Sequence, residues 1–152
     1  MDKMFHNYYS TRNFMFKIYS KGCEHALRVL TSIPIKQYNQ NFLVQSLCRK
    51  SKVPESSARK SLQILVKNNI LDAVTGPGGG YRFKRHPDDI TLLSIVKAID
   101  GPDVFEKCIM GMPQCSKDKP CPVHNTWVKV RKNMIMEMEQ KTLAQLMKTV
   151  RR

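Results

Sequence analysis

A run of glycines near the middle of the chain limits what the residues around it can form. The sequence TGPGGG at 75–80 separates two short segments, at 70–74 and 81–84. The first of these segments is short and mostly apolar, and the second is Tyr81-Arg82-Phe83-Lys84. A strand, a glycine-rich tip and a strand predict a β-hairpin, because glycine permits the positive φ angles of tight turns. A phosphate-binding loop is excluded, since no Lys-Ser/Thr pair follows the glycines and they do not open a helix.

Two amphipathic helices are predicted directly before the hairpin, at 41–50 and 55–68, with a turn at 51–54 between them. The second has apolar residues on one side and polar or basic residues on the other. Two helices joined in this way predict a helix-turn-helix, whose second helix enters the major groove of DNA, and a hairpin after it predicts a winged helix. The alternative is an ordinary amphipathic helix with a solvated polar face.

Candidate DNA contacts follow from this arrangement. Arg59 and Lys60, near the start of the second helix, are placed to reach guanine edges or phosphates. The glycines of the hairpin let backbone amides approach phosphates closely. The predicted DNA-binding residues are Ser56, Ser57, Arg59, Lys60, Gln63, Gly78, Gly79, Tyr81 and Arg82.

The charge balance indicates the same class of partner. The 152 residues carry 26 Lys and Arg against 12 Asp and Glu, a formal net charge of +14. Such an excess favours a polyanionic partner, nucleic acid first and an anionic membrane surface second. No run approaches the roughly 20 apolar residues of a membrane span, and the N-terminus has no secretion-signal pattern, so we expect a cytoplasmic protein that makes no membrane contact.

A second feature is the segment 108–124, CIMGMPQCSKDKPCPVH, which holds three of the five cysteines. Its glycine and prolines disfavour a helix or strand, and an irregular loop lets ligands converge on one point. Thiolates bind zinc or iron–sulfur clusters, and an imidazole can fill a fourth position, so Cys108, Cys115, Cys121 and His124 are candidate metal ligands. Three unrelated thiols in a loop are the alternative.

The remaining segments complete a mainly α-helical fold with one small β-hairpin. Helices are predicted at 23–31, 92–100, 123–139 and 143–148, with Thr142 and Gln145 forming a capping box before the last. The apolar side of the 123–139 helix predicts a dimerisation helix, with folding back on its own domain as the alternative. We divide the chain into an N-terminal arm at 1–17, a winged helix-turn-helix domain at 18–102, a cysteine-rich loop at 103–124, and the dimerisation and terminal helices at 123–150.

Several stretches together resemble the IscR/NsrR/RirA-type family of bacterial winged-helix transcription regulators, which carry an iron–sulfur cluster. They are SKGCEHALRVL at 20–30, the helix-turn-helix, GPGGGYR at 76–82, DITLLSIVKAIDGP at 89–102, the three-cysteine loop and KTLAQL at 141–146. The resemblance covers about residues 18–148. The motifs are specific for the family when they occur together, whereas no single one of them would be.

The resemblance implies a homodimer that binds an inverted-repeat operator in double-stranded DNA, as a repressor whose affinity follows cluster state. It implies Cys108, Cys115 and Cys121 as thiolate ligands, and as the fourth ligand either His124 or Glu24, the latter given by the partner subunit. A [2Fe–2S] cluster is favoured, but the first cysteine gap of six residues is one longer than in IscR-type loops, which leaves a [4Fe–4S] cluster open. Thr75 replaces an arginine that precedes the wing glycines in some members.

Competing functions remain at this point. A Cys3His zinc site with a structural role would keep DNA binding and remove the sensor. A small electron-transfer protein would use the cluster but leaves the wing unexplained. No paired carboxylates near a histidine and no Ser–His–Asp pattern occur, so we expect neither an enzyme nor a small-molecule substrate. The sensed signal stays open among redox state, nitric oxide and iron supply.

Overall fold

The fold was examined in a computed structural model that describes residues 18–112 and 115–150. The described part is mainly helical with one two-stranded antiparallel hairpin, as predicted. The helices are α1 (Lys21–Thr31), α2 (Val44–Ser51), α3 (Glu55–Lys67), α4 (Leu92–Asp100), α5 (His124–Gln140) and α6 (Leu143–Thr149), and the strands are β1 (Leu71–Val74) and β2 (Gly80–Phe83). Single turns of 3-10 helix lie at Ile35–Gln37 and Pro87–Asp89. The predicted arm at 1–17 lies outside the described residues.

The helix-turn-helix consists of α2 and α3, with α1 packed behind α3. Helix α1 begins after Ser20, whose hydroxyl accepts a hydrogen bond from the amide of Cys23. Helix α2 begins at Val44, three residues later than predicted. The prediction was wrong because Phe42 is held in extended backbone by a bridge to Tyr81 of β2. Helix α2 ends at Lys52, whose φ of 54° lies in the left-handed region and turns the chain toward α3.

The wing is the hairpin of β1 and β2, paired from Leu71↔Phe83 to Val74↔Gly80. The first residue of β2, Gly80, has to be a glycine for two reasons. Its φ is 145°, and a Cβ there would lie 2.4 Å from the carbonyl oxygen of Phe42. This close approach fixes the wing against the segment that precedes α2.

Two clusters of buried residues hold the fold together. The main core joins the helix-turn-helix, the wing and α6; its fully buried members are Ala26, Val29, Leu30, Ala58, Leu62, Leu65, Leu71, Ile90, Ile95 and Leu143. The second core is smaller and consists of Cys23, Leu93, Val96, Val104 and Phe105. It lies where α1 and α4 meet the start of the cysteine loop. The cysteine loop comprises residues 101–123, all of which are described except 113–114.

The C-terminal helices follow local signals closely. The Thr91 hydroxyl accepts from the amide of Ser94 and starts α4, and the predicted capping box of Thr142 and Gln145 starts α6. Helix α5 packs against α4, with Met134, Ile135 and Met138 lying on the second core. Val123 and Val130 stay 41% and 44% exposed. Helix α5 therefore packs on its own chain along one part of its surface, and apolar residues at and beside the helix remain exposed.

The predicted division of the chain into domains stays a prediction.

Among residues 18–112 and 115–150, no helix is both long and apolar enough to cross a bilayer.

Candidate DNA-binding surface and metal centre

Helix α3 presents a polar face whose charges are partly paired. Glu55 lies in its first turn and holds Arg59, with 2.6 Å between a guanidinium Nη and the carboxylate. The Arg59 side chain is nevertheless half exposed. Ser56, Lys60 and Gln63 are exposed as well. Four of the five predicted contacts on α3 therefore lie on a surface that another molecule can reach.

Ser57 differs from its neighbours because its hydroxyl is already engaged. It lies 2.7 Å from Nδ1 of His25 on α1, and one turn later the Ser61 hydroxyl donates to the carbonyl of Gly22. These two bonds attach α1 to the side of α3. Helical periodicity in the sequence gives no indication of the contact between His25 and Ser57, since the two residues are 32 positions apart.

The wing contributes one exposed cation and a tight turn to the predicted surface. Arg82 is exposed and lies 3.5 Å from the carboxylate of Asp72. Gly78 has a φ of 73°, and the amide of Gly79 donates to Gly76 within the turn. Tyr81 is only 7% exposed and stacks on Phe42, so its ring lies in the main core. Assignment of these residues to DNA contacts stays a prediction.

The cysteine loop brings one pair of its predicted ligands into contact. Sγ of Cys115 lies 3.4 Å from Nδ1 of His124, and the backbone of His124 donates to the carbonyl of Cys121 at the start of α5. Backbone hydrogen bonds from Met110 and Met112 lower the pKa of Cys108, and hydrogen bonds from the thiols of Cys121 and Cys115 lower it further. The loop thus favours the thiolate that a soft metal requires.

The loop is fastened to α5 by two hydrogen bonds. The Trp127 indole donates to the carbonyl of Lys107 at 3.1 Å, and Arg131 donates to the carbonyl of Phe105 at the same distance. The Phe105 ring is 2% exposed and belongs to the second core. The segment of the loop just before Cys108 is therefore anchored to the N-terminal part of α5.

The donor types of the cysteine loop suit a thiolate-bound metal, but the distances between the donors are too long for one. Three thiols and one imidazole are the ligand types of zinc and of iron–sulfur clusters. Within the described part of the chain, however, no three His, Cys, Asp or Glu side chains stand close enough to form a metal-holding group. The ligand types fit, and the thiols would have to draw together around an ion.

Glu24 lies on α1 and not in the cysteine loop. Its carboxylate pairs with Lys21 at 3.1 Å and with Arg28 at 3.7 Å. A role as ligand would require it to exchange these cations for the metal. Its neighbour Cys23 is fully buried, and burial raises the pKa of that thiol to about 12. Cys23 therefore stays protonated at neutral pH, which argues against a reserve ligand there.

Sequence reasoning missed the contact between α1 and the entrance of the cysteine loop. The backbone amide of Ser20 donates to one carboxylate oxygen of Asp100 at 2.6 Å, and the Ser20 hydroxyl donates to the other. Asp100 is the last residue of α4, directly before the loop. The only local signal was that Ser20 could cap α1; its partner lies 80 residues away.

The described fold is similar to that of known transcription regulators. A family model described as Rrf2, iron-dependent transcriptional regulator, matches residues 19–149. An HTH-type transcriptional regulator of Aquifex aeolicus is 27% identical over 116 residues, which is 75% of this chain and 80% of that protein. The regulator IscR of Vibrio atlanticus is 24% identical over 132 residues, covering 87% of this chain and 75% of that one.

Two solved structures show the same fold. CymR, the global cysteine regulator of B. subtilis, superimposes with a TM-score of 0.73 at 19% identity, over 90% of this chain and all of that one. T. potens IscR gives a TM-score of 0.67 at 17% identity, over 93% of this chain and 91% of that one.

Proposed function

The chain belongs to the Rrf2 family of transcriptional regulators, and from this premise we propose that an iron–sulfur cluster bound by the cysteine loop controls how tightly it binds operator DNA. Its relatives are DNA-binding regulators and not enzymes. The proposed form is a homodimer on an inverted repeat, acting as a repressor in the cytoplasm, where its DNA is found. The observation that carries the proposal is one anchored loop that bears Cys108, Cys115, Cys121 and His124, with Sγ of Cys115 3.4 Å from Nδ1 of His124 and the pKa of Cys108 lowered.

The exposed face of α3 supports the DNA-binding part. A second helix of a helix-turn-helix reads base edges in the major groove, and its cations also contact phosphates. Arg59 and Lys60 are the cations of that face, and the wing adds Arg82. In free protein Glu55 shields Arg59, so binding to DNA exchanges that carboxylate for a phosphate or a guanine edge.

The exposed strip on α5 supports the homodimer. Val130 lies on α5, and Val123 directly precedes the first residue of that helix, seven residues earlier. In a two-fold dimer the same strip of each subunit would meet its copy, which covers apolar surface that the single chain leaves open. The spacing of the two α3 helices would then follow from the packing of α5.

The contacts of the cysteine loop suggest how its state reaches the DNA-binding helix. Phe105 packs with Cys23 of α1 in the second core, and Asp100 holds Ser20 at the start of the same helix. Helix α1 in turn bonds to α3 through Ser57 and Ser61. A cluster would supply redox and ligand-exchange chemistry. The chain itself supplies a continuous series of contacts, from the cysteine loop through α1 to α3, by which a change in the loop would reach the DNA-binding helix.

A structural zinc site is the second candidate, because a Cys3His donor set suits zinc equally well. In that case metal removal would unfold the loop, and DNA affinity would not depend on iron or sulfide.

The test begins with protein purified without oxygen, measured for iron, sulfide, zinc and visible absorption. Operator affinity is then compared for loaded and stripped protein. We expect iron and sulfide, and affinities that differ at least tenfold. Zinc at one per chain without visible absorption would favour the structural site, and equal affinities would refute cluster control.

Matched variants identify the ligands. Cys115→Ala should lose the cluster spectrum, whereas Cys48→Ala, which removes a buried thiol of α2 outside the loop, should keep it. Comparing His124→Ala with Glu24→Ala names the fourth ligand, since only the true ligand should alter the spectrum. For DNA, Lys60→Ala should weaken operator binding more than Lys67→Ala at the far end of the same helix. Equal effects would show that α3 contributes charge alone.

A further inference from the structure

A cavity of about 700 Å³ lies apart from both the cysteine loop and the exposed face of α3. It is bounded by α1, the turn after it, the end of α2 and the end of α6. A volume of this size lies within the range of pockets that bind small organic molecules. Its apolar wall consists of Leu27, Ile33, Ile35, Leu146, Met147 and Val150.

The rim of the cavity is strongly basic. Arg28, Lys36, Lys50 and Lys148 line it, against a single carboxylate, that of Glu24. Glu24 pairs with Arg28 and with Lys21, so it offsets one charge of the rim, and Lys36, Lys50 and Lys148 leave the rim positive. Four cations beside an apolar wall form a site suited to an anion with an apolar body.

Arg28 carries the most specific observation. Its Nη2 donates to the carbonyl of Ser51 at 2.6 Å, and its Nη1 lies 3.7 Å from Glu24. Its Nε, in contrast, is buried and has no hydrogen-bond partner among the described residues. A buried donor without a partner is costly, and a guanidinium is shaped to receive a carboxylate. The Nε itself is closed off from solvent, so a ligand in the cavity would meet the remainder of the Arg28 side chain, which is 30% exposed.

We infer that this cavity binds a small carboxylate with an apolar body, the carboxylate meeting Arg28 and the body lying against α6. The ligand would be an effector, since the chain belongs to a family of transcriptional regulators. Lys50 supports the carboxylate from α2, where its ammonium now donates to the carbonyl of Ser32 at 3.2 Å. The cavity contains none of the candidate ligands of the cysteine loop and none of the DNA contacts proposed for α3, but the other candidate ligand, Glu24, lies on its rim beside Arg28.

The test uses 4-phenylbutyrate as probe and its uncharged amide as the matched control, with the full chain in titration calorimetry. We expect a dissociation constant of about 0.1–1 mM for the carboxylate. The amide should bind at least about tenfold more weakly, because it loses the charge-assisted hydrogen bonds to Arg28. Equal binding of the two probes, or no binding of the carboxylate, would overturn the inference.

Two pairs of variants locate the probe. Lys50→Gln should weaken carboxylate binding several-fold, whereas Arg49→Gln, which removes the same charge from the neighbouring position of α2 outside the cavity, should not. Equal weakening would mean that the probe follows net charge, and the site would be wrong. Arg28→Met should abolish the preference for carboxylate over amide. Because that change also removes the bond to Ser51, Leu146→Trp provides a second check: it should exclude both probes by filling the apolar wall.

Discussion

The anchoring of the cysteine loop through Phe105 gives a prediction with a calculable magnitude. Phe105 is 2% exposed and packs in the second core with Cys23, Leu93 and Val96. Replacing a buried phenylalanine by alanine costs about 3–5 kcal/mol, from lost transfer energy and the cavity left behind. A domain of this size has roughly 5–15 kcal/mol of total stability. Phe105→Ala should therefore remain folded but lose a large share of its free energy of unfolding.

The assay is guanidinium unfolding followed by fluorescence. Trp127 is the single tryptophan, it is 7% exposed, and its indole contacts the loop at Lys107, so its signal reports on this region. Metal is removed by chelation and the protein concentration is fixed, because bound metal and dimerisation both add to apparent stability.

The matched control is Met110→Ala. Met110 is a large apolar residue of the same loop, but it is 63% exposed. Its replacement should change the free energy of unfolding by no more than about 0.5 kcal/mol. If Phe105→Ala loses less than about 1 kcal/mol, or if Met110→Ala loses as much as Phe105→Ala, the loop is not anchored as described.

Three further outcomes are expected. Gly80→Ala should destabilise the wing more than Gly76→Ala in thermal melts, because a Cβ at Gly80 meets a backbone oxygen at 2.4 Å while one at Gly76 meets open space; equal losses would contradict the packing of the wing. In metal-free protein, a thiol reagent followed by mass spectrometry should label half-exposed Cys115 quickly and fully buried Cys23 only after unfolding, and early labelling of Cys23 would argue against the second core. Val130→Asp should convert a dimer into a monomer in sedimentation, whereas a dimer that persists would place the interface elsewhere.

Elements whose signals are local were predicted well from the sequence. Helix α4 was expected at 92–100 and is found at Leu92–Asp100, because Thr91 caps one end and Gly101 ends the other. The capping box of α6 was confirmed for the same reason. The glycine-rich wing was confirmed because only a turn accommodates its positive φ angles.

Features that depend on distant partners were not predictable in this way. The start of α2 was misplaced because Tyr81, on a strand that comes later in the chain, holds Phe42 extended. The same pairing buries Tyr81, which sequence reasoning had placed on the DNA surface. The cysteine spacing indicated the candidate ligands, but it carried no information on how α1 contacts the loop.

The helix predicted for dimerisation shows why one amphipathic pattern can indicate two partners. Met134, Ile135 and Met138 pack on the second core, while Val123 and Val130 remain exposed. An apolar stripe in the sequence shows which side of a helix is apolar, but it does not show which surface covers that side. Its two edges can therefore be covered by different surfaces.

The paired hydrogen bonds between Ser20 and Asp100 have a consequence for how gradual any regulation can be. One residue holds both oxygens of the carboxylate, but through two separate donors, a backbone amide and a hydroxyl that can rotate. Both bonds are exposed, so water can replace either one while the other is kept. Displacement of the segment after Asp100 would therefore loosen α1 by stages, and the regulator would respond by degrees.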